Sequence, residues 1–251
     1  QKSKKYTRFS NFKNNNTSNL EDTSNTFFYD KKNKRIVFFG NQNIKKSITF
    51  PENHSIIILE GTNINFTNNA NISSRSPINF YGNAENPIKI YSSDSSSKGI
   101  IIYNTEKTSR INYTQFINGF GNSLLFFNKA NFIVDNCVFN STTNKNLISA
   151  NESKFSICNS LFINSNTNGF SSTFCEGKIE NCSFKKLKNN SIQLDCSKIS
   201  FNKLNIQDGG NAIVITDKDT IVPTIINQGE IYFKNMKASY LLSENTIINK
   251  I

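Results

Sequence analysis

Phe132-Ile133-Val134-Asp135-Asn136-Cys137-Val138-Phe139 is apolar at alternate positions up to an Asn, and Phe155-Ser156-Ile157-Cys158-Asn159-Ser160-Leu161-Phe162 repeats the pattern 23 residues on. Ile179-Glu180-Asn181-Cys182-Ser183-Phe184 gives it again in shortened form. Period-two alternation with β-branched and aromatic residues is the pattern of a strand. Working outward, Phe116, Phe139, Phe162, Phe184 and Ile206 form one row with gaps of 23, 23, 22 and 22. Leu124, Leu147, Phe170, Ile192 and Ile213 form a second row, and Asn136, Asn159, Asn181 and Asn202 a third. Three rows in step mean one supersecondary unit stacked on copies of itself.

That unit is too short for two helices and a turn. Further short strands lie at Ser123–Phe127, Asn146–Ser149, Gly169–Thr173, Ser191–Leu194 and Ala212–Ile215. Three strands and three turns per repeat are the arithmetic of a parallel β-helix, and the default hand of parallel crossovers makes it right-handed. The expected fold is therefore all-β: a single-stranded right-handed parallel β-helix of about 8–10 coils with a period of about 22–23 residues. Phe116, Phe139, Phe162 and Phe184 are expected to stack inward. Each bend needs a residue that tolerates the left-handed region, which Asn does, and Asn136, Asn159, Asn181 and Asn202 are expected to form an amide ladder.

The first half carries the same style. Ser47–Pro51, Ile56–Leu59, Thr62–Phe66, Pro77–Phe80, Pro87–Ile90 and Gly99–Ile102 are short strands parted by Gly, Pro, Asn and Ser. The helix domain is assigned to residues 31–251, its coils beginning near residue 36. Residues 1–30, polar and rich in Asn, Lys and Ser up to Thr26, read as a flexible leader or cap. Asp217–Gln228 reads as an insertion between coils, with Glu230–Phe233 and Ser239–Leu242 as one more coil.

Ile48–Pro51, Ile64–Phe66, Pro77–Gly82, Glu85–Ile90, Gly99-Ile100 and Ser109–Phe116 together resemble the opening of right-handed parallel β-helix repeat proteins of the pectate-lyase-like superfamily. The likeness is greatest to the helices of bacterial surface proteins, some joined to spore-coat-protein-H-type kinase-like domains. It covers residues 36 to about 242 and is specific for fold, since the superfamily includes lyases, hydrolases, adhesins and inert spacers. It implies that chemistry, where there is any, lies on the outer face of the first parallel sheet. Asp pairs binding calcium, an Arg or Lys base, or two or three carboxylates would carry it.

Two rows are expected to face outward there: Leu125, Ile148, Ser171, Gln193 and Val214, and Phe127, Ala150, Thr173, Asp195 and Thr216. They hold one carboxylate, where glycoside hydrolysis needs a pair and a calcium site several oxygens. Asp208, Asp217, Asp219 and Glu176 lie in turns and are candidates to join Asp195 in a site, although Asp at strand ends ordinarily makes turns. His54, the only histidine, reads as a surface residue with no triad or metal partner. The sequence thus assigns no catalytic, cofactor or metal residue.

The net charge is +11. The basic residues are scattered, and the clusters Lys31–Arg35, Lys45-Lys46 and Lys185–Lys188 are not interleaved with an RNA-reading aromatic motif, so no specific nucleic-acid partner is expected. Lys185, Lys186 and Lys188, with Lys145 and Lys203 brought near by adjacent coils, are the best focus for weak polyanion contact. The five cysteines lack metal-ligand spacing. Cys137, Cys158 and Cys182 read as small apolar fillers, and Cys175 and Cys196, expected on adjacent coils, as stacked free thiols or, where their side chains face each other, a disulfide. No apolar run is long enough to span a membrane.

The resulting reading is a non-catalytic β-helix of an exported or surface-attached bacterial protein, part of a larger multidomain chain, extracellular or at the cell surface, with the periplasm as the alternative. It would serve as a rigid scaffold or as a surface for a polysaccharide or another surface protein, without a cofactor. The apolar outward positions motivate this, because such a row wants cover. The alternative is a polysaccharide lyase or glycoside hydrolase acting on an acidic glycan, with calcium in the lyase case.

Overall fold

The computed structural model describes residues 27–117, 123–140, 145–217, 222–243 and 246–250. Every element in them is a strand, and the strands wind into a parallel β-solenoid of about nine turns. Each coil contributes to three faces. The first face runs through Ile48–Phe50, Asn71–Ser74, Ile148–Asn151, Phe170–Thr173 and Asn190–Asp195. The second includes Arg35–Phe38, Ser55–Leu59, Lys154–Cys158, Glu176–Glu180 and Lys198–Asn202. The third includes Asn41–Ile44, Asn63–Phe66, Thr114–Ile117, Leu161–Ile163 and Ser183–Lys185. In some coils two faces share one long bent strand, as in Gly99–Asn112, Leu125–Asp135 and Leu204–Ile215.

Among the described residues all pairings are parallel except one. Phe27–Asp30 pairs antiparallel with Arg35–Phe38 and packs Phe27 and Tyr29 against the core of the first coil. Part of the stretch expected as a leader or cap is thus a paired strand; residues 1–26 lie outside the described residues. Ile225–Gln228 pairs with Lys198–Phe201 as a second-face strand, so it is coil and not insertion. Ile231–Leu241 and Ile247–Lys250 complete the stack.

Inward side chains form columns because register is conserved from coil to coil. Phe116, Phe139, Phe162 and Phe184 are in register, with ring centroids 4.9, 4.8 and 4.5 Å apart and interplanar angles of 6°, 12° and 7°. These spacings match the roughly 4.8 Å separation of adjacent strands, so each ring uses both of its faces.

Bends fall at residues with positive φ. Asn104, Lys129, Glu152, Phe174 and Cys196 follow the first face, Tyr113, Asn136, Asn159, Asn181 and Lys203 the second, and Asn164, Lys186, Asp208 and Asn235 the third. Asn202 is therefore not the fourth member of its expected row. It pairs with Glu180 at a strand end, and Lys203 takes the left-handed position. The ladder that forms runs from Asn181 Nδ2 to Asn159 Oδ1 (2.7 Å) and from Asn159 Nδ2 to Asp135 Oδ1 (2.8 Å), bypassing the Asn136 side chain.

The phase of the first face differs from expectation on two coils, while Ser171, Gln193, Val214, Thr173 and Asp195 face outward as expected. Leu125, Ile148, Phe170, Ile192 and Ile213 are in register and buried, and so are Phe127 and Ala150. The outward row is Ile101, Phe126, Ser149, Ser171, Gln193 and Val214, with Asn128, Asn151, Thr173 and Asp195 beside it. Leu124 and Leu147 are buried as well. Two consecutive residues face inward where the chain turns into this face, and alternation begins only at the second.

A groove on the first face

Coils entering the first face bring Ile101, Phe126 and Ser149 to consecutive outward positions. The preceding corners add Lys98, Ser123, Lys145, Asn146, Thr167 and Asn189, and together these residues line an open groove of about 460 Å³. Its floor is apolar at one end, where Ile101 and the Phe126 ring adjoin. Toward the other end it is a hydrogen-bonded polar strip. Ser123 Oγ and Ser149 Oγ lie 3.3 Å apart, Asn146 Nδ2 donates to Ser149 Oγ at 3.1 Å, and the Thr167 hydroxyl donates to the Lys145 carbonyl. The last bond anchors the backbone of one of the two lysines. Among the described residues the lining contains no Asp, Glu or His. The arrangement offers an aromatic surface, hydroxyls and amides, and two cations.

The acidic candidates are dispersed. Asp208 sits at the bend after the third face and accepts Asn235 Nδ2 at 2.8 Å, a different corner from Asp195. Asp219 lies outside the described residues. Asp195, Cys196 and Asp217 do come together, with potential ligand atoms within 4.8 Å of one another. Asp217, however, is engaged on both oxygens. Oδ1 accepts the Cys196 amide (3.0 Å) and the Thr224 hydroxyl, and Oδ2 accepts the Thr224 amide (3.0 Å) and the Ser243 hydroxyl (2.8 Å). Desolvation works to raise its pKa, but these bonds outweigh it and lower the value. Asp217 is thus a clamp holding the last coils together. A calcium ion takes six to eight oxygens, and this cluster offers few beyond those already used. Glu176 makes an ion pair with Lys154 at 2.9 Å.

His54 has structural hydrogen-bond partners. Its Nε2 lies 3.2 Å from the Tyr29 hydroxyl and its Nδ1 2.8 Å from the Glu52 carbonyl, which fastens the antiparallel cap strand to the second coil. Lys185 and Lys186 adjoin at the end of a third-face strand, but Lys203 occupies the bend after the second face, a strand away. Lys145 belongs to the groove. The groove itself was missed because the coil of Phe126 was read one position out of phase and the outward rows were not extended down to Ile101.

No family model and no curated protein matches this chain. Among solved structures, ORF18 of Geobacillus virus E2 is similar at 14% identity and a TM-score of 0.29, over 86% of this chain and 54% of that one, so this chain spans about half the length of the viral protein. The periplasmic alginate epimerase AlgG is similar at 9% identity and a TM-score of 0.23, over 88% of this chain and 79% of that one. Both are distant likenesses and neither bears on the chemistry of the groove.

Proposed function

We propose that this chain is a non-catalytic β-helix of an exported or surface-attached bacterial protein that holds an anionic glycan on its first face. The observation that carries the reading is the groove, which sets Lys98 and Lys145 beside the Phe126 ring and a strip of hydroxyls and amides. A sugar acid presents a carboxylate for the lysines, hydroxyls for the polar strip and an apolar ring face for Phe126. Specific polar groups around an apolar surface are the usual composition of a ligand site. The rigid stack supplies preorganisation, since each lining residue rides on a strand or corner fixed by its neighbours. The described lining offers no carboxylate pair for hydrolysis.

A second reading is favoured by the same two lysines, because a lysine beside a bound uronate is a candidate base for β-elimination. One set of measurements separates the two. In gels containing polygalacturonate or alginate, the wild type should be retarded, and the Lys98→Gln, Lys145→Gln double variant should run freely. Equal retardation of both overturns the groove as the site. Accumulation of unsaturated product during incubation with either polymer, abolished by Lys98→Gln or Lys145→Gln, establishes the lyase reading instead.

A further inference from the structure

At the opposite edge of the first face, where the chain bends into the second, lies an apolar dish that the acidic-glycan reading leaves unused. Phe174 forms its centre. This residue has φ of 51°, in a row otherwise occupied by Asn104, Lys129, Glu152 and Cys196. The left-handed region is a genuine outlier for a bulky side chain. The residue is also 46% exposed, next to Val222 (42%), Pro223 and Ile225, above a floor that includes Cys175 and Cys196. Strained backbone and an exposed aromatic at one residue are both unfavourable to folding, and such costs concentrate where a ligand is met. The dish measures about 610 Å³, within the range of ligand sites.

Its rim selects the ligand. Lys154 and Glu176 form a bridge of 2.9 Å, Lys198 follows Glu176 in register, and Glu152 lies beside them. Cations and carboxylates alternate along the axis, so the rim presents donors and acceptors with little net field to attract an ion. They recur at the strand spacing, about 4.8 Å. An uncharged pyranose matches this: one face of C–H groups for the Phe174 ring and a rim of hydroxyls that both donate and accept.

We propose that the Phe174 dish is a second saccharide site, taking neutral sugar units of a glycan that runs along the helix axis, independently of the cationic groove. The test is affinity electrophoresis in gels containing galactomannan, arabinoxylan or mixed-linkage β-glucan. Wild type should be retarded by at least one of the three. Phe174→Asn, whose side chain tolerates the left-handed bend, should lose that retardation at least tenfold while melting no lower than wild type. Phe174→Tyr, which keeps the ring, should retain it, and so should the Lys98→Gln, Lys145→Gln variant. The proposal is overturned if none of the three polymers retards the wild type, or if Phe174→Asn is retarded as strongly as wild type. Loss of Phe174→Tyr binding, or loss of neutral-glycan binding in the lysine double variant, overturns it too. Retardation by polygalacturonate and alginate alone overturns it while leaving the groove reading intact.

Discussion

The ring of Phe155 lies across Gly177, its register partner on the next coil: a β-carbon on Gly177 would stand 2.8 Å from two ring carbons and 2.5 Å from the Phe155 carbonyl oxygen. The missing side chain lets the ring tilt toward Phe170 on the first face, with centroids 4.8 Å apart at 58°. Glycine in a strand interior is ordinarily a weakness that alanine repairs. Here alanine must displace either an aromatic ring or the backbone of a neighbouring strand. Gly177→Ala should lower unfolding stability by about 1–3 kcal/mol, as overpacking does. A urea midpoint equal to or above that of wild type would contradict the contact.

Phe162 stacks between Phe139 and Phe184 and is fully buried. Truncation leaves a cavity closed above and below by rings that belong to other coils and cannot collapse independently. Phe162→Ala should cost about 3–5 kcal/mol, and Phe162→Leu substantially less because it refills most of the volume. Urea unfolding followed by circular dichroism reads both. Equal midpoints for the two variants would show that the column relaxes into the gap.

The Phe column was legible in the sequence because each third-face strand starts at a fixed distance from a left-handed bend, so spacing and residue type agree at Phe116, Phe139 and Phe162. The phase of the first face was legible at Ser171, Gln193 and Val214 but not at Leu125 and Ile148. Leu124-Leu125 and Leu147-Ile148 are apolar pairs at a corner where both members are buried, and alternation cannot decide which one opens the strand. Asn202 keeps near step with its row but falls one residue short of the 22-residue repeat from Asn181, which points to Lys203, a residue with no intrinsic preference for the bend it occupies. The groove and the dish were invisible for a related reason. Both assemble residues from three or more coils, and Phe126 and Phe174 look in sequence like any other core phenylalanine.

Cys137, Cys175 and Cys182 occupy post-bend positions that serine fills on other coils, Ser160 in one row and Ser153 and Ser197 in another. Ser160 donates its hydroxyl to the Cys158 carbonyl (2.6 Å) and accepts the Cys137 amide (3.1 Å); Ser197 does the same with the Asp195 carbonyl (2.8 Å) and the Cys175 amide (3.1 Å). Cys175 and Cys182 donate to the Thr173 and Glu180 carbonyls in the same way, both at 3.2 Å. Burial pushes the Cys182 thiol up to about 12 and the Cys175 thiol to about 11, which leaves little thiolate at neutral pH. Cys182→Ser should therefore change stability by less than about 1 kcal/mol, whereas Cys182→Val, which leaves a buried bend amide without its acceptor, should cost about 1–3 kcal/mol. Iodoacetamide should label both thiols no faster than the protein unfolds.

Asp94 ties two coils together. Its carboxylate accepts the Asn68 amide of the preceding coil (2.8 Å), the Ser96 hydroxyl (2.7 Å) and amide (3.0 Å), and the Ser92 hydroxyl (3.1 Å). These bonds, the Asn68 amide first, hold its pKa at about 2 against an ordinary 3.8. Because the folded value is depressed, the stabilisation is complete above the unfolded pKa and disappears as pH falls through the folded one. Asp94→Asn should melt below wild type at pH 7, and the gap should close between about pH 4 and pH 2. A gap that persists undiminished at pH 2 would mean that packing, and not the ionised carboxylate, carries the effect.

The last expectation concerns the lysines. Lys186 stands in the bend row directly beside Asp208, and Lys185 beside Gln207, so one carboxylate already offsets part of the Lys185, Lys186 and Lys188 cluster. The groove lining sets Lys98 and Lys145 along one depression, with no acidic side chain among its described residues. Heparin retention from scattered lysines works by counterion release and should end near physiological salt, where the Debye length is about 8 Å. Replacing Lys185, Lys186 and Lys188 by Ala should shift elution only slightly, and Lys98→Gln with Lys145→Gln should shift it more. Retention that survives several-fold higher salt and vanishes in the triple variant would instead place a dedicated polyanion site on the third-face corner.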